Sequence, residues 1–171
     1  MEPVITQKPE ILLVGMSFYG DPFSTRGGWD AKNEIGRLWT RLINYLSANG
    51  EQIQHFIQSG GAYEVHIYNE ETVNQGIFEV FVGVLVEKIE AVPVELLIKI
   101  LPPSEYAVFT FEGEEIRSDW HKQIDQWIAA AGYERAHSFS FQYLDERFKG
   151  VDNIEESVLD VYMPVKSAAP E

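Results

Sequence analysis

The sequence predicts an α+β fold in which duplicated strand-helix-strand-strand modules form one antiparallel sheet with two long helices and a central groove. Two repeated patterns support this prediction. A strand pattern occurs twice, as FEVFVGV at residues 78–84 and as LDVYMPV at residues 159–165. A helical pattern also occurs twice, as LxxxLxxYLxxxG from Leu38 and as WxxxIxxWIxxxG from Trp120. Because both halves show these elements in the same order, we infer an internal duplication.

The first module begins with a strand at residues 11–19, which a loop rich in turn-forming residues follows. Asp30 is a residue type that caps helices, and apolar residues then recur at helical spacing until an Asn-Gly pair ends the helix at Gly50. Strands are predicted next at residues 63–69 and 77–87, because Val, Ile, Tyr and Phe are frequent there. The resulting order is strand, helix, strand, strand.

The second module repeats this order with a different set of residues. Its elements are a strand at residues 105–112, a helix from Ser118 or Asp119 to Gly132, and strands at residues 138–145 and 157–165. Further strands at residues 94–101 and at about 3–8 lead into the two modules.

We expect a single domain over residues 1–171. Its pseudo-twofold halves should cover about residues 3–90 and 91–166, with a flexible tail at 167–171. Each module alone is too small to hide its apolar surface. Pairing of the two buries that surface and leaves a groove between the two helices.

Charge and composition exclude several functions. The chain of 171 residues has 27 acidic and 13 basic side chains, for a net charge of −14, and contains no cysteine. Such a charge repels phosphate backbones, so we expect no direct binding to nucleic acid. The N-terminus lacks the features of a signal peptide, and the longest apolar run, residues 80–86, is too short to cross a bilayer. We expect a cytoplasmic protein without membrane contact.

The sequence shows none of the common catalytic motifs, such as GxSxG, GxxxxGK, GxGxxG or HExxH. Cysteine chemistry is excluded, since there is no cysteine for a disulfide, a thiolate zinc site or a nucleophile. The histidines at positions 55, 121 and 137 do not have the spacing of paired metal ligands. We therefore predict no catalytic residue, no metal and no cofactor, and consider an enzyme less favoured than a binding protein.

Several segments carry a resemblance to a known family. They are YAVFTFEG, DWHKQIDQWIAAAGYE, FQYLDERF and VLDVYMPV in the second half, and IGRLWTRL and GIFEVFVGVLV in the first. Together they resemble GyrI-like small-molecule-binding domains, which also occur as the effector-binding part of AraC-type and MerR-type multidrug-sensing regulators. The resemblance covers about residues 3–166. It implies the duplicated fold described above, with a central cleft for lipophilic, often cationic, aromatic compounds.

No helix-turn-helix segment precedes the domain, so we expect a stand-alone, regulator-like ligand sensor. Its candidate protein partners are a second copy of the chain, forming a homodimer, and a separate regulatory protein. The small-molecule partner should be lipophilic.

The resemblance also points to residues of the cleft. Many relatives carry a buried glutamate in a run similar to FERYDERF, and the run FQYLDERF of this chain has Gln142 in its place. An amide cannot ionise, so it attracts a cation less than a carboxylate does. Alignment of Val65 with Phe141 makes His66 the equivalent of Gln142 in the first half. Gln142, Leu144 and His66 are therefore candidate ligand-binding residues.

Four aromatic residues complete the candidate site, namely Tyr68, Phe81, Trp120 and Tyr162. Trp120 lies on the apolar stripe of a helix, and for it and Trp39 core packing is the alternative to lining the groove. The other three would line the cleft or close the opposite side of the sheet, because a half-buried strand carries aromatics on either face.

Two alternatives to ligand binding remain open. Some members of the resembled family hydrolyse strained electrophilic compounds with a cleft acid and a tyrosine, which is general acid-base chemistry. Gln142 argues against this activity here, unless an acid such as Glu79 or Asp160 is buried in the cleft. The other alternative is a gyrase-inhibitor-like protein whose acidic surface imitates DNA.

Overall fold

The computed structural model describes residues 2–168, which form nine strands and three α-helices. In chain order they are β1 (Val4–Lys8), β2 (Ile11–Gly20), α1 (Glu34–Asn49), β3 (Ala62–Ile67), α2 (Glu70–Gln75), β4 (Phe78–Leu85), β5 (Leu97–Leu101), β6 (Ser104–Glu112), α3 (Trp120–Ala130), β7 (Tyr133–Arg135), β8 (Phe139–Leu144) and β9 (Val158–Ser167). None of these helices is long and apolar enough to span a membrane.

The described strands form one antiparallel sheet. Their order is β1-β6-β9-β8-β3-β4-β2-β5, and β7 adds a short pairing to β9. The strands of the first module occupy one half of the sheet, those of the second module occupy the other, and β3 and β8 meet at the centre. The prediction of an α+β fold with one antiparallel sheet and two long helices is confirmed.

The strand register relates the two halves in the way that the repeated strand pattern predicts. Phe81 of β4 lies opposite Val65 of β3, and Tyr162 of β9 lies opposite Phe141 of β8. Val65 and Phe141 are also paired with each other at the centre of the sheet. Superposition of Phe81 on Tyr162 therefore places Val65 on Phe141, and the pseudo-twofold axis passes between these last two residues.

Each module receives its edge strand from the other part of the chain. β1 runs into the first module but pairs with β6 of the second, and β5 runs into the second module but pairs with β2 of the first. Residues 9–10 alone link β1 to β2, and residues 102–103 alone link β5 to β6. Two such residues span at most about 11 Å between the strand ends. The sheet must therefore curl until its two ends meet.

The curl gives the sheet two different faces. Side chains from both ends of the sheet, among them Ile11, Leu101 and Tyr106, share one core cluster on the concave face. The helices α1 and α3 pack on the opposite face, each against the strands of its own module. These two helical clusters stay separate, so a groove remains between them over β3 and β8.

The start of α1 differs from its prediction. Asn33, not Asp30, is the N-cap, and its Oδ1 accepts a hydrogen bond from the backbone N–H of Gly36. The carboxylate of Asp30 instead accepts from the N–H of Lys32, within the turn before the helix. Both residues have cap-forming side chains, so the residue type alone could not decide between them.

Three further differences concern short or terminal segments. The sequence did not predict α2 and β7, which have only six and three residues and are too short to show a period. β9 continues to Ser167, which the sequence places in a flexible tail, and the N–H of Ala168 donates to the carbonyl of Gly132. Residues 169–171 of the expected tail lie outside the described residues.

Candidate ligand-binding cavity

A cavity of about 560 Å³ occupies the groove between α1 and α3. Its walls and floor consist largely of the following side chains: Ile35, Trp39 and Ile43 of α1, Trp120 and His121 of α3, Glu64 and His66 of β3, and Gln142 and Leu144 of β8. Loop residues, including Phe23, Trp29 and Phe148, form the rim. A cavity of this volume with mostly apolar walls and a few polar groups is typical of small-molecule sites.

The floor is polar because of the alternation of side chains along β3 and β8. Glu64 and Gln142 are directly paired across the two strands, so both side chains point to the helical face. Their neighbours Val65 and Phe141 point to the concave face and are buried there. The two central strands thus bring an acid and an amide together at the middle of the cavity floor.

Glu64 is the buried acid of the site. Its side chain is almost fully buried, with 3% of the residue exposed. One carboxylate oxygen accepts a hydrogen bond from Nε1 of Trp39 at 2.6 Å, and the other lies 2.7 Å from Nε2 of His66. These contacts offset part of the cost of burying a carboxylate. Both partners line the same cavity, so Glu64 is held in place beneath a prospective ligand.

Gln142 lies beside this group and is also buried. Its Oε1 has no hydrogen-bond partner within the described part of the chain. An unpaired polar atom in a protein interior costs roughly 1–3 kcal/mol. Rotation of the terminal amide by half a turn exchanges its oxygen and nitrogen, so Gln142 can present either an acceptor or a donor. A ligand that completes this hydrogen bond would gain that free energy.

His121 contributes an aromatic wall without adding positive charge. Its ring stacks on Trp120, with the ring centroids 3.8 Å apart. Desolvation lowers the pKa of His121 to about 4, and the nearby His66 acts in the same direction. The residue also has an exposed surface, and contact with water there should moderate this shift. The pKa of His121 nevertheless stays below its ordinary value, so the imidazole is mostly uncharged at pH 7.

Residues at the rim of the cavity form contacts between the two modules. The indole of Trp29, in the loop before α1, lies against Phe148 of the second module with 5.7 Å between ring centroids. Its Nε1 donates to the carbonyl of Ile116 at 3.0 Å, again in the second module. The loop before α1 thus reaches across the groove and closes one end of the cavity.

Four of the seven residues predicted for the cleft line the cavity, namely Gln142, Leu144, His66 and Trp120. The other three do not. Phe81 and Tyr162 belong to the concave face, because their strand positions alternate with those that face the helices. Tyr68 packs in the core of the first module against Phe78, and its hydroxyl lies 3.1 Å from Oγ of Ser140. Their placement in the cleft is corrected.

Sequence reasoning missed the buried acid of the cavity. The two acids considered for this role lie elsewhere: Glu79 pairs with Lys99 at 2.8 Å, and Asp160 pairs with Arg147 at 2.6 Å. On the basis of Gln142 the sequence argued against a cleft acid, with Glu79 and Asp160 kept as possible exceptions, whereas Glu64 supplies the buried carboxylate from the paired strand. A signal was available, since Glu64 is two residues before His66 and must share its strand face.

The sequence of residues 4–165 matches the profile of a family described as integron-associated effector binding protein. The chain belongs to this family. The resemblance to GyrI-like effector-binding domains is thereby confirmed. An effector-binding domain is a module that binds small molecules, and the cavity described above is the candidate site for one in this chain.

The chain is also similar to a curated regulator and to solved structures. The transcriptional regulator BrlR of Pseudomonas aeruginosa is 28% identical over 167 residues, which are 96% of this chain and 56% of the regulator. The chain thus spans about half the length of this curated relative. The structure of SAV2435 bound to tetraphenylphosphonium has a TM-score of 0.70 at 17% identity, covering 97% of this chain and 94% of that one. EcmrR, in a complex with DNA, has a TM-score of 0.65 at 14% identity, covering 98% and 58%. These structures share the fold.

Proposed function

We propose that the cavity binds a lipophilic aromatic cation and that this effector-binding protein senses or sequesters that compound. Glu64 is the observation that carries the proposal. It is a buried carboxylate at the floor of a cavity whose walls include the indoles of Trp39 and Trp120. Indole faces attract cations through the charge distribution of the ring, in addition to the apolar contact that they offer.

The electrostatic contribution is large enough to select a cation. A carboxylate and a monovalent cation separated by about 4 Å attract each other by roughly 4 kcal/mol at an effective dielectric constant of about 20. Desolvation of both charges cancels part of this attraction. We expect a net preference of about tenfold to a hundredfold for a cation over a neutral compound of the same shape.

The similar proteins support this proposal. SAV2435, which shares the fold, was solved with tetraphenylphosphonium, a lipophilic aromatic cation. BrlR is a transcriptional regulator, and the chain matches about half of it. A regulatory use of ligand binding, in which the cation changes contact with a partner protein, is consistent with both relatives.

The proposal is tested by titrating the protein with a matched pair of aromatic compounds, one cationic and one neutral. Glu64→Gln should weaken binding of the cation about tenfold or more and leave the neutral compound within about twofold. Glu51→Gln is the control, because it removes one negative charge at an exposed position outside the cavity. Equal loss in both variants, or binding of neither compound to the wild type below millimolar concentration, would contradict the proposal.

Hydrolysis of a reactive electrophile is a second candidate function. The contact between Glu64 and His66, at 2.7 Å, favours it, because a carboxylate can orient an imidazole for general base catalysis. The test is incubation of the protein with a strained aromatic epoxide and measurement of the diol product. Turnover at the rate of buffer alone, or turnover that survives Glu64→Gln, would exclude this function for the cavity.

A further inference from the structure

A second cavity, of about 210 Å³, opens on the concave side of the sheet. Lys8 and Ile11, which flank the link between β1 and β2, lie on one side of it, so the cavity is at the corner where the two ends of the sheet meet. The two cavities have no lining residue in common. β3 and β8 contribute alternate side chains to each and thus form the partition between them.

Aromatic side chains form the walls of this second cavity. Phe141 and Tyr162 are stacked with 4.6 Å between ring centroids, and Tyr63 lies 5.4 Å from Phe141. Tyr143 completes the set at 5.3 Å from Tyr63. The ring of Tyr143 rests on Gly61, where a Cβ would come within 2.7 Å of it and where φ is +68°. Glycine is therefore needed at this position, and its backbone supports the ring of Tyr143.

The polar side chains of the cavity make no side-chain hydrogen bond or ion pair with other groups of residues 2–168. Nζ of Lys8 lies 5.5 Å from the centre of the Tyr162 ring and takes part in no ion pair within residues 2–168. The hydroxyls of Tyr63, Tyr143 and Tyr162 likewise have no hydrogen-bond partner in that part of the chain. Burial raises the pKa of Tyr63 far above its usual value, and its two neighbours contribute to this. The phenols therefore remain donors.

A further donor lies behind the same wall. Tyr106 is fully buried, and its hydroxyl has no partner among the described residues. Its ring is 5.4 Å from Phe141 and 5.9 Å from Tyr162. The nearby Asp160 does not compensate these donors, because its carboxylate is already bound by Arg147 and Thr110. Within residues 2–168, the hydroxyls of Tyr106 and of the tyrosines that line the cavity thus remain free to donate to a ligand.

We infer that this second cavity binds a single-ring aromatic carboxylate, with the ring between the aromatic walls and the carboxylate facing Lys8 and the tyrosine hydroxyls. A cavity of about 150 Å³ is known to hold benzene, so 210 Å³ suffices for one ring with a small acidic group. Among the described residues no carboxylate side chain lines the cavity, and the ammonium of Lys8 disfavours a cation. The charge preference is therefore opposite to that of the larger cavity, and the inference does not depend on the function proposed for it.

The inference is tested with benzoate, benzyl alcohol and benzylammonium, whose binding to the full chain is measured by ligand-observed NMR. Benzoate should bind the wild type best of the three. Lys8→Gln should weaken benzoate about fivefold or more, since one cation in a partly buried site is lost. Lys122→Gln, at an exposed position on α3, is the matched control and should leave the affinity within about twofold.

Two further variants distinguish binding in this cavity from binding in the larger cavity and from a loss of folding. Tyr162→Phe removes one donor while preserving the ring, and it should weaken benzoate but not benzyl alcohol. Glu64→Gln should not weaken benzoate, because that side chain lies in the other cavity. Benzoate that binds no better than benzyl alcohol, or that is unaffected by both Lys8→Gln and Tyr162→Phe, would overturn the inference.

Discussion

Trp39 has two roles in the larger cavity. Its indole forms part of the apolar wall, and its Nε1–H holds one oxygen of Glu64 at 2.6 Å. His66 holds the other oxygen, so the carboxylate cannot turn away from the cavity without losing two contacts. A prospective cation would therefore meet a charge that is already oriented, which reduces the entropy lost on binding.

The side chain opposite Glu64 offers a test of the charge at the floor. Gln142→Glu would place two carboxylates at directly paired strand positions, where side chains lie about 4.5–5.5 Å apart at Cβ. Like charges at this distance raise the pKa of one carboxyl above its unfolded value. The variant should therefore be less stable than the wild type at pH 8. The difference should shrink toward pH 4, as the unfolded chain also becomes protonated.

Chemical denaturation at pH 8 and at pH 4 measures this effect, and a saturating cationic ligand should reduce the loss at pH 8. Gln142→Leu is the control, since it removes the unpaired amide without adding charge, and its stability should not depend on pH more than that of the wild type. A pH-independent difference for Gln142→Glu would mean that the two side chains do not share one site.

At the scale of secondary structure elements, most of the fold could be predicted, because strands and long helices show a clear period in the sequence. The face of the sheet on which each aromatic side chain lies could not be predicted. Phe81 and Tyr162 are apolar positions on strands whose two faces are both buried, one by helices and one by the curl of the sheet. A strand buried on both sides does not mark one face with polar residues, so alternation cannot identify the cleft side.

Polar residues inside such strands are more informative than aromatic ones. Glu64, His66 and Gln142 interrupt otherwise apolar segments, and all three line the larger cavity. The role of Gln142 and His66 was predicted from the family resemblance, whereas Glu64 was overlooked although the same strand pattern contains it. Contacts between the sheet and a helix, such as the one between Glu64 and Trp39, depend on the position of the helix over the strands, which does not follow from a periodic pattern.

The N-terminus of α1 gives a prediction at this scale. Asn33 is buried, accepts from the N–H of Gly36 at 2.9 Å, and donates from Nδ2 to the carbonyl of Gly28 at 2.8 Å. Asn33→Ala should lower the free energy of unfolding by about 0.5–2 kcal/mol, the usual range for loss of an N-cap side chain. It should also weaken ligand binding, because Gly28 and Asn33 belong to the cavity wall.

Asp30→Ala is the comparison for this prediction, since it removes the side chain that the sequence suggests as the cap. Its hydrogen bond to the N–H of Lys32 lies in an exposed turn, so we expect a smaller loss. Urea denaturation measures the free energy of unfolding of both variants. If Asp30→Ala cost as much as Asn33→Ala, the helix would begin earlier than the structure shows.

The net charge of the whole molecule affects the rate at which a charged ligand associates. The net charge of −14 should draw cations toward the surface at low ionic strength, where charges are screened only over a long distance. We predict that the association rate of a cationic ligand falls about tenfold between low and high salt. The rate for a neutral compound of the same shape should stay within about twofold.

Stopped-flow measurement of tryptophan fluorescence at about 20 mM and about 500 mM salt provides both rates, since three indoles line the larger cavity. Glu64→Gln should change the dissociation rate much more than the salt dependence of association, because it alters only one of many charges. A cation whose association is insensitive to salt would show that steering by the whole surface is absent.

The exchange of edge strands gives the chain the architecture of a swapped dimer joined into one polypeptide. In a true homodimer, any residue beside the twofold axis occurs twice, so one glutamate near the centre would bring a second glutamate to face it. Two such carboxylates in a closed space cannot both stay ionised. Joining the two copies in one chain removes this constraint. Alignment of Val65 with Phe141 makes Ser140 the counterpart of Glu64. The single chain can therefore carry one carboxylate at this place, whereas a homodimer of two separate copies would carry two or none.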